Sequence, residues 1–319
     1  MIVVTGSNGF IGSNLIHQLN QQGSTNILAV DDLSKKDRKK NIKNCEIKEL
    51  MDSNDFYSSL ETNLLQKKKV KTIFHQGACS DTLEWDASFI LRNNYYLSKK
   101  LLFHAQNNAI PFIYASSASV YGNGKNFVED KKNEDPINLY AYSKYLFDQY
   151  VRSKLSKNSN QIVGLRYFNV YGPNESHKER MASVAYHLNE QLKEGERVKL
   201  FEGSDGYAAG EQRRDFVFVN DVVKVNLWFM KNSNISGIFN VGTGKSQTFN
   251  EVANSVIDWN KRGVVKFIPF PEKLRNYYQS FTEADISKLR KVGYTEDFSN
   301  IQEGIKLYLD SKITWPSNE

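Results

Sequence analysis

Tyr140 and Lys144 stand four residues apart in the run Tyr140-Ala141-Tyr142-Ser143-Lys144. On a helix that spacing puts both side chains on one face. A phenol is a poor base at its reference pKa of about 10. A neighbouring ammonium, and a second cation such as an oxidised nicotinamide, would favour the phenolate and lower that value. The phenolate could then take a hydroxyl proton while hydride leaves the same carbon. Surface helices carry such pairs by chance, so the pair gains meaning only from its surroundings. Upstream stands Ala115-Ser116-Ser117-Ala118-Ser119-Val120-Tyr121-Gly122. A serine at a strand end there, Ser117, could hydrogen-bond the same substrate oxygen.

The second group of informative residues lies at the start of the chain. An apolar run, Ile2 to Val4, leads into Gly6-Ser7-Asn8-Gly9-Phe10-Ile11-Gly12, and a helical pattern follows through Leu15, Ile16 and Leu19. In a strand–turn–helix unit Gly6 allows the sharp turn, Gly9 allows close approach to a pyrophosphate, and Gly12 allows helix and strand to pack. The pyrophosphate would sit on the helix N-terminus, where free N–H groups favour negative charge. A second apolar run, Ile27 to Val30, ends in Asp31, 19 residues past Gly12. That is close to the spacing of an acid that binds the adenosine ribose. A glycine-rich turn in some other α/β protein is the alternative; the second strand and Asp31 favour a dinucleotide.

Elements of matching length must position these residues. Ile2–Val4, Ile27–Val30, Val70–Phe74, Pro111–Ala115 and Ile162–Tyr167 read as strands, and Phe89–Asn107 and Leu139–Ser153 as helices. Strands alternating with helices imply a parallel sheet covered on both faces, with ligands beyond the C-terminal strand ends. The order loosens after residue 172. Met181–Glu194 reads as a helix, Ser204–Arg214 as a loop, Asp215–Val219 as a strand, Asp221–Met230 as a helix capped by Asp221, and Gly237–Val241 as a strand. Pro269, Pro271 and Pro316 interrupt the tail. The expected fold is α/β: a Rossmann-like, doubly wound parallel sheet with a smaller, discontinuous α/β substrate-binding domain. Residues 1–171 plus about 215–241 would form the first, and about 172–214 plus 242–319 the second.

Composition narrows the class of function. At 319 residues, 40% hydrophobic and 24% charged, the chain suits a soluble globular protein. No apolar run approaches the roughly 20 residues of a membrane span. The N-terminus enters a core strand at once, unlike a signal or transit peptide. Cys45 and Cys79 are the two cysteines; they suggest neither disulfide framework nor metal site, and a cytoplasmic setting is expected. The net charge of +6 is carried largely by lysine, in runs such as Lys35-Lys36-Asp37-Arg38-Lys39-Lys40 and Lys67-Lys68-Lys69. These runs read as solvated surface, with attraction of an anionic substrate as the alternative. No nucleic-acid-binding motif accompanies them.

TGSNGFIG, ASSASVYG and YAYSK, with RRDFVFVNDV and FNVGTG further on, resemble the extended short-chain dehydrogenase/reductase superfamily. The resemblance spans the whole chain. It implies Ser117, Tyr140 and Lys144 as the catalytic set, with Lys144 also on the nicotinamide ribose. HQGACSDTLEWD, RYFNVYGPNESHKERMASVAYHLN, KLFEGS and PFPEKLRNYYQSFTEADI narrow it further, to the ADP-glyceromanno-heptose 6-epimerases. That family uses NADP and inverts carbon 6 of the heptose in an ADP-linked sugar that feeds lipopolysaccharide core assembly. The resemblance implies a homo-oligomer, with a homopentamer as the form it suggests.

It also implies site residues. The cofactor would meet Gly6, Gly9, Phe10, Ile11, Gly12, Asp31, Asp32 and Arg38, then Gln76, Gly77, Ala78, Cys79, Ser80, Asn93 and Val170. The substrate would meet Asn169, Arg180, His187, Phe201, Glu202, Gly203, Ser204, Arg214 and Tyr278. Lys178 would be a second proton acceptor near the sugar, facing Tyr140, and would reach the cofactor as well. Two bases suit an epimerisation. Hydride leaves carbon 6 to give a ketone and returns to its other face, and the new alkoxide points elsewhere. An exposed lysine, a core histidine, a packed cysteine and a surface arginine are the plain alternatives for Lys178, His187, Cys79 and Arg214. The chain departs from the family pattern at Arg180, in the longer 204–214 loop and at Ser53. An acid at position 31 repels a 2′-phosphate, so NADP would require Asp31 to turn away while one of Lys35, Lys36, Arg38, Lys39 or Lys40 reaches the phosphate. A dehydratase would carry a Thr-Asp-Glu run near the serine; Ser117-Ala118-Ser119 does not. A binding protein that keeps the fold would typically lose Tyr140 or Lys144, and both are present.

Overall fold

The structure, a computed structural model, describes residues 1–155, 160–272 and 278–314. Residues 273–277 of the PFPEKLRNYYQSFTEADI stretch, and Pro316, lie outside them. The strands are β1 Ile2–Thr5, β2 Ile27–Asp31, β3 Glu49–Asp52, β4 Thr72–His75, β5 Phe112–Ser117, β6 Ile162–Tyr167, β7 Asn169–Tyr171, β8 Arg197–Phe201, β9 Arg213–Arg214, β10 Phe216–Phe218, β11 Gly237–Val241, β12 Gln247–Thr248 and β13 Val264–Ile268. The chain divides into two compact units.

The first unit comprises Met1–Val120, Pro136–Arg166 and Val223–Phe239. Its frame is a seven-stranded sheet in the order β11-β6-β5-β4-β1-β2-β3. The pairs β1–β2, β1–β4, β2–β3 and β4–β5 are parallel. These strands are apolar runs rather than alternating ones because both faces are covered; every residue of β2, β4 and β6 is buried. From β1 the chain builds outward to β3 on one side, then returns to place β4 against β1 and builds the other way. This reversal puts a crevice at the C-terminal ends of β1 and β4, where the glycine loop and Gln76–Ser80 begin. Val3, Leu28, Ile73, Phe112, Tyr114, Phe147 and Ile162 belong to one core cluster beneath it.

The second unit comprises Tyr121–Asp135, Tyr167–Val222 and the described residues of Asn240–Glu319. It holds three two-stranded pairings: β7 with β10 and β8 with β13, both parallel, and β9 with β12, antiparallel. Residues 121–135, 167–171, 215–222 and 240–241 group with this unit, unlike the expected division. For 121–135 the cause is a knot of contacts around Phe127 and Asn240. The Phe127 ring lies 6.0 Å from Phe168 and 6.1 Å from Phe281. Tyr121 Oη donates to Asn240 Oδ1 at 2.7 Å, and Asn240 N donates to Glu129 at 2.7 Å.

Several elements differ from the pattern reading. β4 begins at Thr72, two residues after the apolar run starts. The helix expected over Phe89–Asn107 begins at Ala87, capped by Asp86, and passes through a π turn at Arg92–Tyr96. Met181 ends a 3₁₀ segment, Ser176–Met181, and the helix proper is Val184–Glu194, capped by Ser183. Asp221 is not a cap: the helix spans Val219–Lys231, and buried Asp221 instead accepts from Ser299 N at 2.8 Å. The helix Phe249–Asn260 carries a full capping box, Thr248 Oγ1 accepting from Glu251 N at 3.0 Å and Glu251 from Thr248 N at 2.6 Å. Thr248→Ala should lower stability by about 1 kcal/mol in urea unfolding, and Thr248→Ser by much less.

Candidate active site

The glycine loop fits a dinucleotide on geometry alone. Gly6 has φ +66°, and a Cβ there would lie 2.6 Å from Gly77 N. A Cβ on Gly12 would lie 2.0 Å from Gly6 O, so no side chain is possible where helix and loop meet. The helix Phe10–Gln21 starts after Gly9 with no side-chain cap, and the positive end of its dipole favours an anion there. Asn8 Nδ2 and Arg38 Nε are buried without a hydrogen-bond partner. Asp31 turns inward: Oδ2 accepts from Asn8 N at 2.7 Å and Oδ1 from Asp32 N at 2.8 Å. Burial pushes its carboxyl up, against those two bonds and Arg38. Asp32 accepts from Ser34 N and Oγ.

The Gln76–Ser80 segment lies beside the loop. Gln76 N donates to Thr5 O at 3.1 Å, and Gly77 N to Thr5 Oγ1 at 3.3 Å. Asn94, which the sequence reading missed, holds the segment: its Oδ1 accepts from Cys79 N at 2.8 Å and its Nδ2 donates to Cys79 O at 2.9 Å. The same Nδ2 reaches Ser143 Oγ, at 3.0 Å, on the helix that carries Tyr140 and Lys144. The neighbouring Asn93, singled out from sequence, bonds back to Phe89 O within its own helix. Burial raises the Cys79 thiol, which disfavours a thiolate.

Tyr140 and Lys144 lie in the helix Leu139–Leu155, one turn apart. The Tyr140 hydroxyl is hydrogen-bonded to Ser117 at the end of β5. Ser117 Oγ also accepts from Ser119 Oγ at 2.9 Å. Buried Lys144 donates from Nζ to Ala115 O at 2.8 Å. Burial pushes the Tyr140 phenol up, with Ser117 pulling the other way. Burial pushes the Lys144 ammonium down to about 8, against the pull of Asp148. The neighbours in the protein therefore leave Tyr140 a phenol; a lowered value there would have to come from an added cation.

In the second unit the structure gathers part of the expected set. Arg214 is buried, with its guanidinium 4.9 Å from the Tyr278 ring centre. Tyr278 packs edge-on against Phe270 at 5.1 Å, and Phe270 against Phe201 at 5.3 Å. Ser204 is buried and accepts from Gln212 Nε2 at 3.1 Å. Glu202 and Gly203 are exposed in the same segment. Asn169 Oδ1 accepts from Thr282 at 3.3 Å, and Val170 lies beside it in β7. Lys178 and Arg180 sit in the 3₁₀ segment Ser176–Met181, Lys178 half-buried and Arg180 exposed. Burial lowers the Lys178 ammonium, with Glu175 opposing. His187 is half-buried on the helix Val184–Glu194, its ring against Tyr186. No cluster of three or more His, Cys, Asp or Glu is placed to hold a metal among the described residues. No described helix is long and apolar enough to cross a membrane.

A sheet in this strand order, with a glycine loop at its point of reversal, defines a Rossmann-like dinucleotide-binding protein. The chain belongs to the NAD dependent epimerase/dehydratase family, whose model matches residues 2–242. It is 50% identical over 317 residues, 99% of each chain, to the ADP-L-glycero-D-manno-heptose-6-epimerase of Alkalilimnicola ehrlichii. Among solved structures it resembles ADP-L-glycero-D-manno-heptose-6-epimerase from Helicobacter pylori, with a TM-score of 0.85 and 33% identity over 98% of this chain and 96% of that one. It is also similar to a UDP-N-acetylglucosamine 4-epimerase from Methanobrevibacter ruminantium, with a TM-score of 0.84 and 27% identity over 98% of both chains. Because a Cβ on Gly12 would strike Gly6 O, Gly12→Ala should abolish dinucleotide binding in calorimetric titration while the folded sheet persists by circular dichroism.

Proposed function

We propose that the chain inverts carbon 6 of the heptose in ADP-D-glycero-β-D-manno-heptose, giving the L-glycero epimer for lipopolysaccharide core synthesis. The observation that carries this reading is the half-buried Tyr140, bonded to Ser117 with Lys144 one turn away, in a chain half-identical from end to end to an enzyme so named. The bound nicotinamide would accept hydride from carbon 6 and give it back to the other face of the ketone. Tyr140 takes the hydroxyl proton, Ser117 hydrogen-bonds the same oxygen, and Lys144 holds the phenolate and the nicotinamide ribose. The two epimeric alkoxides point in different directions, so a second acid–base group is needed; we assign it to Lys178. We assign Arg214 to the substrate diphosphate, since its planar guanidinium matches phosphate oxygens; the Tyr278 ring beside it would help hold it in place. Two free cysteines support a reducing, cytoplasmic setting. The reading includes a homo-oligomer.

NADP is the preferred cofactor in this reading. Both oxygens of Asp31 accept backbone N–H bonds, which supports a carboxylate turned from the ribose. The unpartnered Arg38 Nε supports a 2′-phosphate ligand. Arg38→Gln should weaken NADP binding at least tenfold, about 1.4 kcal/mol, and leave NAD binding nearly unchanged. Tighter binding of NAD than NADP by the wild-type chain would overturn the preference.

The decisive experiment is NMR of ADP-D-glycero-D-manno-heptose incubated with the protein, following carbon 6. Tyr140→Phe and Lys178→Met should each slow epimerisation by about 10²–10⁴-fold, with NADP still bound. A Lys178→Met variant that works at the wild-type rate would remove the second-base assignment.

A further inference from the structure

The helix Leu139–Leu155 buries Ala141, Ser143, Lys144, Phe147, Asp148 and Val151, an ordinary core-facing stripe except for its polar members. Position 148 calls for an apolar residue, yet holds a carboxylate with no exposed surface. Asp148 Oδ1 accepts from Tyr114 Oη at 2.9 Å. Its Oδ2 accepts from Ser116 Oγ at 2.9 Å and from Arg166 Nε and Nη2 at 2.9 and 2.8 Å. The Arg166 side chain, on β6, is also fully buried. Gly164 makes room for the arrangement: a Cβ there would lie 2.4 Å from the Tyr114 hydroxyl. A buried pair of this kind is often no more stable than apolar residues of the same volume, so stability alone does not account for it.

The end of β5 is read twice by this helix. Tyr114 and Ser116 hang on Asp148, while Ala115 and Ser117 meet Lys144 and Tyr140. The charges follow the same layout. Asp148 on its own helix and Cys79 from the segment after β4 act electrostatically on Lys144, and Lys144 acts on His75 of β4; Tyr140 stands one turn before it on the same helix. Burial, aided by Lys144, pushes His75 down to about 3, so it is neutral. Burial raises the thiol of Cys79, which is neutral too. Asp148 is the one carboxylate among these groups, ion-paired to Arg166 and one turn after Lys144 on the same helix.

We propose that Asp148, clamped by Arg166, Tyr114 and Ser116, is a positioning residue that fixes the end of β5, Ala115 and Ser117 included, against Lys144 and Tyr140. The inference rests on the reading of Tyr140 and Lys144 as the reacting pair. Asp148→Asn alone leaves two buried cations uncompensated and is a poor test. Asp148→Asn with Arg166→Met removes both charges and keeps an acceptor for the two hydroxyls; Arg166→Met alone keeps the carboxylate. The measurements are thermal unfolding, NADP affinity, and kcat and KM for ADP-heptose against pH. With Asp148 gone Lys144 loses its proton at lower pH, so the alkaline limb of kcat should fall about one pH unit below that of Arg166→Met, with kcat down about tenfold or more and KM and NADP affinity retained. Equal limbs and equal kcat in the two folded variants would make the carboxylate a structural clasp and overturn the proposal. If the double variant does not fold, Ser116→Ala decides: it cuts one tie between Asp148 and β5 and should lower kcat several-fold at constant KM, and an unchanged kcat overturns the proposal. Lys144→Met separates the two readings. If it turns over at the wild-type rate the reacting-pair reading fails; if it is inactive while the double variant matches Arg166→Met, the Asp148 inference alone fails.

Discussion

Two backbone loops that nearly touch, Gly6 after β1 and Gly77 after β4, are the constraint on which the rest of the first unit depends. A Cβ on Gly6 would lie 2.6 Å from Gly77 N, and one on Gly77 3.1 Å from Gly6 N. From that contact the chain departs in opposite directions across the sheet, and the crevice follows. The floor of the contact is hydrogen-bonded. Thr5 Oγ1 accepts from Gly77 N and pairs with His75 Nδ1 at 2.6 Å, and His75 Nε2 pairs with Ser98 Oγ at 2.7 Å. A histidine that stays neutral can link two hydroxyls without bringing a charge into the core. Asn94, one turn before Ser98, continues the chain to Cys79 and Ser143. The seat for the dinucleotide and the helix that carries Tyr140 are therefore set by one connected network rather than by separate loops.

Burial acts on Tyr140 and Lys144 in the same sense, toward their neutral forms. A pair left to its own environment rests as a phenol beside a weakened ammonium. A cation brought next to Tyr140 reverses the balance at the phenol, and a carboxylate behind Lys144 opposes the loss of its proton. In the proposed reading this makes the base dependent on what is bound. The phenol would give up its proton readily only when an oxidised, positively charged partner is present, so proton and hydride would leave the same substrate carbon together.

How much of this was legible beforehand depended on whether a residue acts through local spacing or through distant contact. The glycine loop, the strand cores and the Tyr140–Lys144 face are local patterns, and β1, β2, β6 and the helix from Leu139 stand where the spacing puts them. The NAD dependent epimerase/dehydratase family, matched over residues 2–242, was legible from the same loop and the YAYSK run. β3, with the sequence ELMD, has too little apolar character to announce itself, and becomes a strand by pairing with β2. Asp148, Asn94 and His75 are invisible to spacing because their partners lie from 15 to 70 residues away. One signal was available: a lone Asp in the buried stripe of a helix needs a partner, and Arg166 in the apolar run IVGLRY stands out for the same reason. The assignment of 121–135 was missed because Asn240, more than 100 residues on, decides it.

The segment assigned to the second acid–base group shows a different economy. Lys178 is followed by Glu179 at φ +47°, ψ −123°, a region that a non-glycine residue enters at a cost of about 1–3 kcal/mol. Such a conformation persists only where its surroundings over-determine it. Here they do: buried Glu175 accepts from Gly172 N at 3.1 Å, Ser183 N at 2.6 Å and Ser183 Oγ at 2.8 Å, and Lys178 N donates to Glu175 O at 2.9 Å. One carboxylate thus ties the turn before Lys178 to the cap of the helix after it. The same Glu175 opposes the fall in the Lys178 pKa that burial causes. A group that must both give and accept a proton works best with a pKa near the working pH. Burial alone would leave an amine unable to donate, and full exposure an ammonium unable to accept. At Lys178 burial and Glu175 act in opposite directions on the ammonium, the two levers that the proposed role would use.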